Sequence, residues 1–120
     1  MWIYSQLTGQ LWNPQGLILA IGYSGGGEGK NSPKMQAIKS VGPIPRGAWV
    51  IGEPYDSKNI GPYALPLYEN GHDALTRAYF RIHGDSISNP GTASRGCVIL
   101  ARNIREMIHN SRDRDFIVIE

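Results

Sequence analysis

The chain has 120 residues, 41% of them hydrophobic, enough to enclose one modest core in a single domain spanning residues 1–120. Its 12 basic and 10 acidic residues are scattered, which argues against the clustered basic stripe of a nucleic-acid binder. The longest apolar run, residues 17–21, is far too short to cross a bilayer, so no transmembrane segment is expected.

The first six residues lack the basic start and apolar stretch of a secretory signal, so export by another route is expected. Residues 2–6, 11–12 and 17–21 are apolar-rich and separated by Thr8-Gly9 and Asn13-Pro14-Gln15-Gly16, turn chemistry that predicts an N-terminal β-meander. Residues 23–31 carry too many glycines for a strand or helix and read as a loop. Ser32-Pro33 fits the start of one helical turn. The proline-restricted stretch 41–47 then leads into a strand over 48–51.

Further strands are predicted at 64–68, 79–83 and 116–119. In the second of these, His83 shares the less apolar face with Tyr79 and Arg81. One helix is predicted over 101–110, with Leu100, Ile104, Met107 and Ile108 as its core stripe and Arg102, Arg105, Glu106 and His109 facing water. Fifteen glycines and eight prolines fit the same mainly β expectation.

The chemistry concentrates in Phe80-Arg81-Ile82-His83-Gly84-Asp85-Ser86 and Ser94-Arg95-Gly96-Cys97-Val98-Ile99. Cys97 is the only cysteine, which excludes an internal disulfide and a multi-thiolate metal site. A cysteine nucleophile needs a base to form thiolate, and His83, 14 positions earlier, has the side chain suited to that role near neutral pH. A third group must orient the imidazole; the Gly84 carbonyl is the candidate, with Asp85 or Ser86 as alternatives. The Gly96 and Cys97 amides are candidate oxyanion donors, and Ser94 can cap the turn by bonding back to the main chain.

His83-Gly84 followed by Ser94-Arg95-Gly96-Cys97-Val98 resembles the signature of L,D-transpeptidases of the YkuD type. Tyr23-Ser24-Gly25 and Gly42-Pro43-Ile44-Pro45-Arg46-Gly47-Ala48-Trp49 extend the resemblance over nearly the whole chain, and the nearest likeness is to the compact Tlde1 branch of type VI secretion effectors. Arg95 departs from the histidine that many members of the wider family carry there, and the short His-to-Cys spacing suggests a trimmed loop over the site.

The resemblance implies a β-sandwich-like catalytic domain with one helix after the nucleophile. It also implies a thioester formed on Cys97 from the tetrapeptide stem of peptidoglycan, with the terminal D-alanine expelled and then replaced by water or by an amine. Arg95, Arg102 and Tyr23 are the candidates for meeting substrate carboxylates, and Ser86 and Ser94 complete the candidate substrate-binding set. The partners implied are peptidoglycan stem peptides, a cognate immunity protein and a secretion-system carrier. The chain would be made in the bacterial cytoplasm and act in the periplasm of a target cell.

Two other readings are weaker. Gly25-x-x-x-Gly29-Lys30 is one residue short of a phosphate loop, and Asn31 stands where Ser or Thr is needed. His72, His83 and His109 have no ligand spacing on one element, so no metal or other cofactor is implied; His72 is expected in solvent. A non-catalytic wall-binding or secretion-associated module is the alternative class of function.

Overall fold

The computed structural model describes residues 1–120. Ten strands and one helix follow in the order β1 (Trp2–Ser5), β2 (Gln10–Trp12), β3 (Ile18–Ile21), β4 (Tyr23–Ser24), β5 (Gly47–Ile51), β6 (Tyr55–Ser57), β7 (Gly61–Glu69), β8 (Arg81–His83), β9 (Val98–Ile99), α1 (Arg102–Asn110) and β10 (Asp115–Ile119). Strands run β3-β2-β1-β10-β5-β7-β8-β9-β4 across the sheet, with β6 pairing only β7. The mainly β expectation with one helix after the cysteine holds.

The N-terminal meander forms as its turns dictate. Asn13 Oδ1 accepts from the Gln15 and Leu17 amides at 3.1 and 3.0 Å, while the Gly16 amide donates to the Asn13 carbonyl at 2.9 Å. β1 then pairs in parallel with β10, so the two ends of the chain meet in the middle of the sheet. β7 carries the bend: its residues 67–69 pair with β5, residues 65–66 with β8, and its first residues with β6. Pro66, which has no amide to donate, sits where the partner changes, and its carbonyl accepts from Gly52 at 2.8 Å. Between the two halves lies a core that includes Trp2, Tyr4, Trp49, Phe80, Ile82 and Val98. Trp49 is fully enclosed, edge-on to Phe80 at 5.2 Å, with its indole N–H donating to the Pro45 carbonyl at 3.1 Å.

Several elements depart from the sequence expectation. Tyr23 and Ser24, read as the start of a loop, form β4 because β9 lies beside them; β6 and β9 themselves are two or three residues long and carry too little pattern to be read alone. Tyr79 does not extend β8: its φ is 65° and its ring is exposed. Ser32-Pro33 does open a 3-10 turn, Pro33–Met35, although the Ser32 side chain makes no cap hydrogen bond.

His72 is half-buried rather than in solvent. Its Nδ1 accepts from the Ala74 amide at 3.0 Å and its Nε2 donates to the Ala48 carbonyl at 2.7 Å. The ring also packs edge-on against Trp49 at 4.8 Å, which makes it part of the core boundary.

In α1 the inward face is Ile104, Arg105 and Ile108, and Met107 is largely exposed. Arg105 lies inside because its stem packs like a hydrocarbon while Nε donates to the Leu100 carbonyl at 3.1 Å and Nη1 to the Pro62 and Tyr63 carbonyls at 2.9 and 2.8 Å. The helix is thereby pinned across β7 and behind the segment that carries the cysteine.

Ile104→Ala is expected to cost about 2–5 kcal/mol by opening a cavity under α1, whereas Met107→Ala on the exposed side should cost well under half of that. Urea denaturation of the two variants tests the placement; equal losses would contradict it.

Candidate active site

Three segments far apart in sequence converge on Cys97. β8 and β9 pair in parallel with Ile82 opposite Val98 and His83 opposite Ile99. Ile82 and Val98 point into the core. The alternate face therefore carries Arg81 and His83 on one strand and, just before the other, Cys97. A parallel pair needs a long connection, here residues 84–97, and this one has no helix of its own. Asp85 closes it: Oδ1 accepts from the Ser86 and Gly91 amides at 2.8 and 3.0 Å and from the Tyr23 hydroxyl at 2.6 Å.

The turn before the cysteine is built from below by β4. The Ser24 hydroxyl donates to the Gly96 carbonyl at 2.8 Å and accepts from the Ile44 amide at 2.8 Å. Ser94 Oγ donates to the Cys97 carbonyl at 2.5 Å and accepts from the Gly25 and Gly96 amides at 2.9 and 3.0 Å. Gly96 has φ +142°, and a Cβ there would lie 2.6 Å from Arg77 Nη2 and 3.0 Å from the Phe80 ring, so only glycine fits.

Arg77 completes the scaffold. It is 7% exposed and donates to four backbone carbonyls: Nη1 to Gln36 and Pro43 at 2.6 and 2.7 Å, Nη2 to Gly42 and Arg95 at 3.0 and 3.1 Å. Burial lowers its pKa, partly offset by attraction to Cys97.

Cys97 itself is partly exposed in a cleft of about 390 Å³. Lys39, Arg77, Arg81 and Arg95 line this cleft, with no acidic residue among its walls. The thiol donates to the Tyr79 carbonyl at 3.7 Å. The Cys97 amide makes no hydrogen bond within the protein, so it remains a candidate oxyanion donor. The Gly96 amide, expected beside it, is committed to Ser94 and is removed from that role.

His83 is 3% exposed, and its Nδ1 lies 2.9 Å from the Gly84 carbonyl, so the proton sits on Nδ1 and Nε2 carries the lone pair. Burial lowers its pKa; the Gly84 contact opposes this, the charges of Arg81 and Arg105 reinforce it, and Asp85 opposes it weakly. No hydrogen bond joins His83 to Cys97 in this state. The alternatives for orienting the imidazole are spent elsewhere: Asp85 on Tyr23, and the Ser86 hydroxyl on the Asn89 amide at 3.0 Å and on Ser88.

The expected substrate contacts divide. Arg95 lines the thiol cleft and is exposed. Ser94 is buried with its hydroxyl fully used, so it shapes the turn and presents nothing to a ligand. The Tyr23 hydroxyl is held between Asp85 and the Ala93 amide, which it accepts at 2.9 Å. Burial, then Asp85, pushes its pKa up to about 12. Arg102 lies away from the cleft, paired with Glu106 at 3.2 Å and stacked over Tyr63 at 4.5 Å. Sequence reading did not single out Arg77 or Arg81 as site residues; the alternation that puts Arg81 on the face of His83 was the available signal.

The fold is that of a solved L,D-transpeptidase. The crystal structure of L,D-transpeptidase (Yku) from Stackebrandtia nassauensis superposes with a TM-score of 0.56 at 19% identity over 99% of this chain and 54% of that one, so this chain spans about half the length of that protein. No curated protein matches the chain in sequence. Residues 19–116, from β3 into β10 and including all three converging segments, match the Tlde1 domain, and the chain belongs to that family.

Proposed function

We propose that the protein is a peptidoglycan-modifying cysteine enzyme that removes or exchanges the terminal D-alanine of tetrapeptide stems. The observation that carries this reading is the placement of Cys97, a partly exposed thiol on a glycine turn, beside the strand that bears a buried, carbonyl-oriented histidine. Membership of the Tlde1 family supports it.

In the proposed mechanism, Cys97 swings from the Tyr79 carbonyl toward His83 once substrate enters, and Nε2 takes the thiol proton. The sulfur attacks the carbonyl carbon of the third stem residue. The oxyanion faces the free Cys97 amide. Collapse breaks the bond to D-alanine, whose nitrogen receives the proton from His83, leaving a thioester. Water then releases a tripeptide, or an incoming amine forms a new amide, with the thiol regenerated in either case.

The cationic cleft suits this substrate class, because stem peptides are rich in carboxylates and the cleft walls present no competing acid. We further propose that the chain acts in the periplasm of a target cell as a secreted antibacterial effector, and that its producer is protected by a cognate immunity protein.

Cys97→Ser should remain folded and lose turnover by several orders of magnitude, since a hydroxyl in place of the thiol is a far weaker nucleophile. Mass spectrometry of purified tetrapeptide muropeptides checks this; undiminished trimming by the serine variant would exclude a covalent step at Cys97.

A base whose pKa is lowered stays deprotonated to lower pH. The acid limb of kcat/KM should therefore fall below the ordinary histidine value of about 6.5. The same group gives a stability term that is fully present above about 6.5 and is lost as pH falls through the lowered folded value, because the unfolded chain binds the proton first. An acid limb above 6.5 in the pH–rate profile would contradict the neutral, buried base.

Production in the bacterial cytoplasm, where no wall substrate exists, should be nearly harmless. Fusion to an export signal should make the chain toxic, and Cys97→Ala should abolish the toxicity. Equal killing from both compartments, or killing with an unchanged muropeptide profile, defeats the wall-directed reading.

A further inference from the structure

The cleft holds four cations, but they are not equivalent. Arg77 has its donors engaged by backbone carbonyls, so it is scaffold. Lys39 and Arg95 are exposed, where solvent and salt screen them. Arg81 differs from all three. It is half-buried at the start of β8, beside the cysteine turn, and lines the thiol cleft together with Cys97.

Its hydrogen-bonding capacity is largely unused. A guanidinium offers five N–H donors. The one side-chain hydrogen bond it makes to an oxygen is a long contact from Nη1 to the Tyr55 hydroxyl at 3.4 Å. Its Nε is buried without a partner. None of the ion pairs in the protein involves Arg81. A half-buried cation with free donors and no counter-ion is a site prepared for an anion from outside.

Arg81 also lies where the thiol cleft meets a larger neighbouring groove of about 850 Å³, which shares Ala78, Tyr79, Phe80 and Arg81 with it. A chain bound along both would pass its reacting carbonyl over Cys97 and its next residue against Arg81. Successive residues of a peptide are spaced by about 3.8 Å, so the terminal carboxylate of a leaving residue falls one residue beyond the attacked carbonyl, within reach of a guanidinium that lines the same cleft as the sulfur.

We propose that Arg81 binds the free C-terminal carboxylate of the leaving residue and thereby restricts the enzyme to stems that end one residue beyond the attacked carbonyl. This rests on the reading of Cys97 as nucleophile. The carboxylate meets two parallel N–H donors of the guanidinium, a geometry that neither an amide nor a further residue reproduces. Arg81 is thus a specificity-determining residue that acts on the leaving side of the scissile bond, in a place assigned above to none of Arg95, Arg102 and Tyr23.

The test compares tetrapeptide muropeptide carrying a free C-terminal carboxylate with the same compound amidated at that carboxylate. Wild type should favour the free acid by about tenfold to a hundredfold in kcat/KM, mostly through KM. Arg81→Gln should bring the two substrates to within about twofold, and Arg81→Lys should recover part of the preference, as a point charge lacking the fork geometry. Circular dichroism of each variant checks folding. A second arm needs no turnover: calorimetric titration of Cys97→Ala with both peptides should show tighter binding of the free acid, and the added Arg81→Gln change should erase the difference. Equal kcat/KM or equal affinity for the two peptides in the proteins that retain Arg81 overturns the assignment, as does preference retained by Arg81→Gln. Preferential binding of the free acid without any turnover by wild type would sustain the Arg81 site and overturn the catalytic reading instead.

Discussion

Arg77 stands at the centre of this small domain with no carboxylate beside it. Burying an unpaired guanidinium is costly unless its donors are met, and here backbone carbonyls from three separate places meet them: residue 36, residues 42 and 43, and residue 95. The proline-restricted segment before β5 is thereby tied to the turn that carries Cys97. Gly96 is compelled by the same contact, since any side chain there would strike the guanidinium. The cation also stacks over Phe80 at 5.1 Å, which links the clamp to the core through Trp49. Satisfying the charge with carbonyls rather than with an acid leaves the cleft positive, so one arrangement both fixes the loops and sets the electrostatic character of the site.

That character bears on how the histidine works. A positive surround disfavours a second cation, and Arg81 and Arg105 both act on His83 in that sense, on top of its burial. The resting imidazole is therefore a neutral base with its lone pair on Nε2, held in that tautomer by the Gly84 carbonyl. Under the proposed mechanism, acceptance of the thiol proton would create an imidazolium in an unfavourable place, which would favour return of the proton to a leaving amine. An anionic substrate in the cleft would offset the local positive charge and make that transient imidazolium less costly, so under the proposed mechanism substrate binding and base strength would be coupled through the same field.

Much of the frame was legible before any coordinates, and the exceptions share a cause. The meander, the strand at β10 and the helix announced themselves because period 2, period 3.6 and turn chemistry are local signals. β4, β6 and β9 did not, because strands of two or three residues are defined by the partner they lie against. Arg105 was placed in water on its charge alone; its three carbonyl acceptors come from residues 62, 63 and 100, which no reading of the helix by itself could supply. At the site, His83-Gly84 and Ser94 to Cys97 were visible as a pattern. Arg77 was not, since its acceptors lie 18 to 41 positions away along the chain.

The same distinction explains why the serine and the glycine of the cysteine turn proved to be builders. Ser94 has one hydroxyl and three backbone partners, and once Gly25, Gly96 and Cys97 are bonded nothing remains to offer a ligand. The Gly96 amide is consumed in that network, which leaves the Cys97 amide, of the two candidate oxyanion donors, as the one without a hydrogen bond within the protein. A turn with its Ser94 hydroxyl, Gly96 amide and Gly96, Arg95 and Cys97 carbonyls all bonded is held in one geometry, and such rigidity is what the proposed oxyanion role of the Cys97 amide would require: the dipole must already point at the charge when the charge appears. The polar groups around Cys97 thus divide: those spent on the backbone hold the turn, while the Cys97 amide, His83 Nε2, Arg81 and the exposed Lys39 and Arg95 are left available to a ligand.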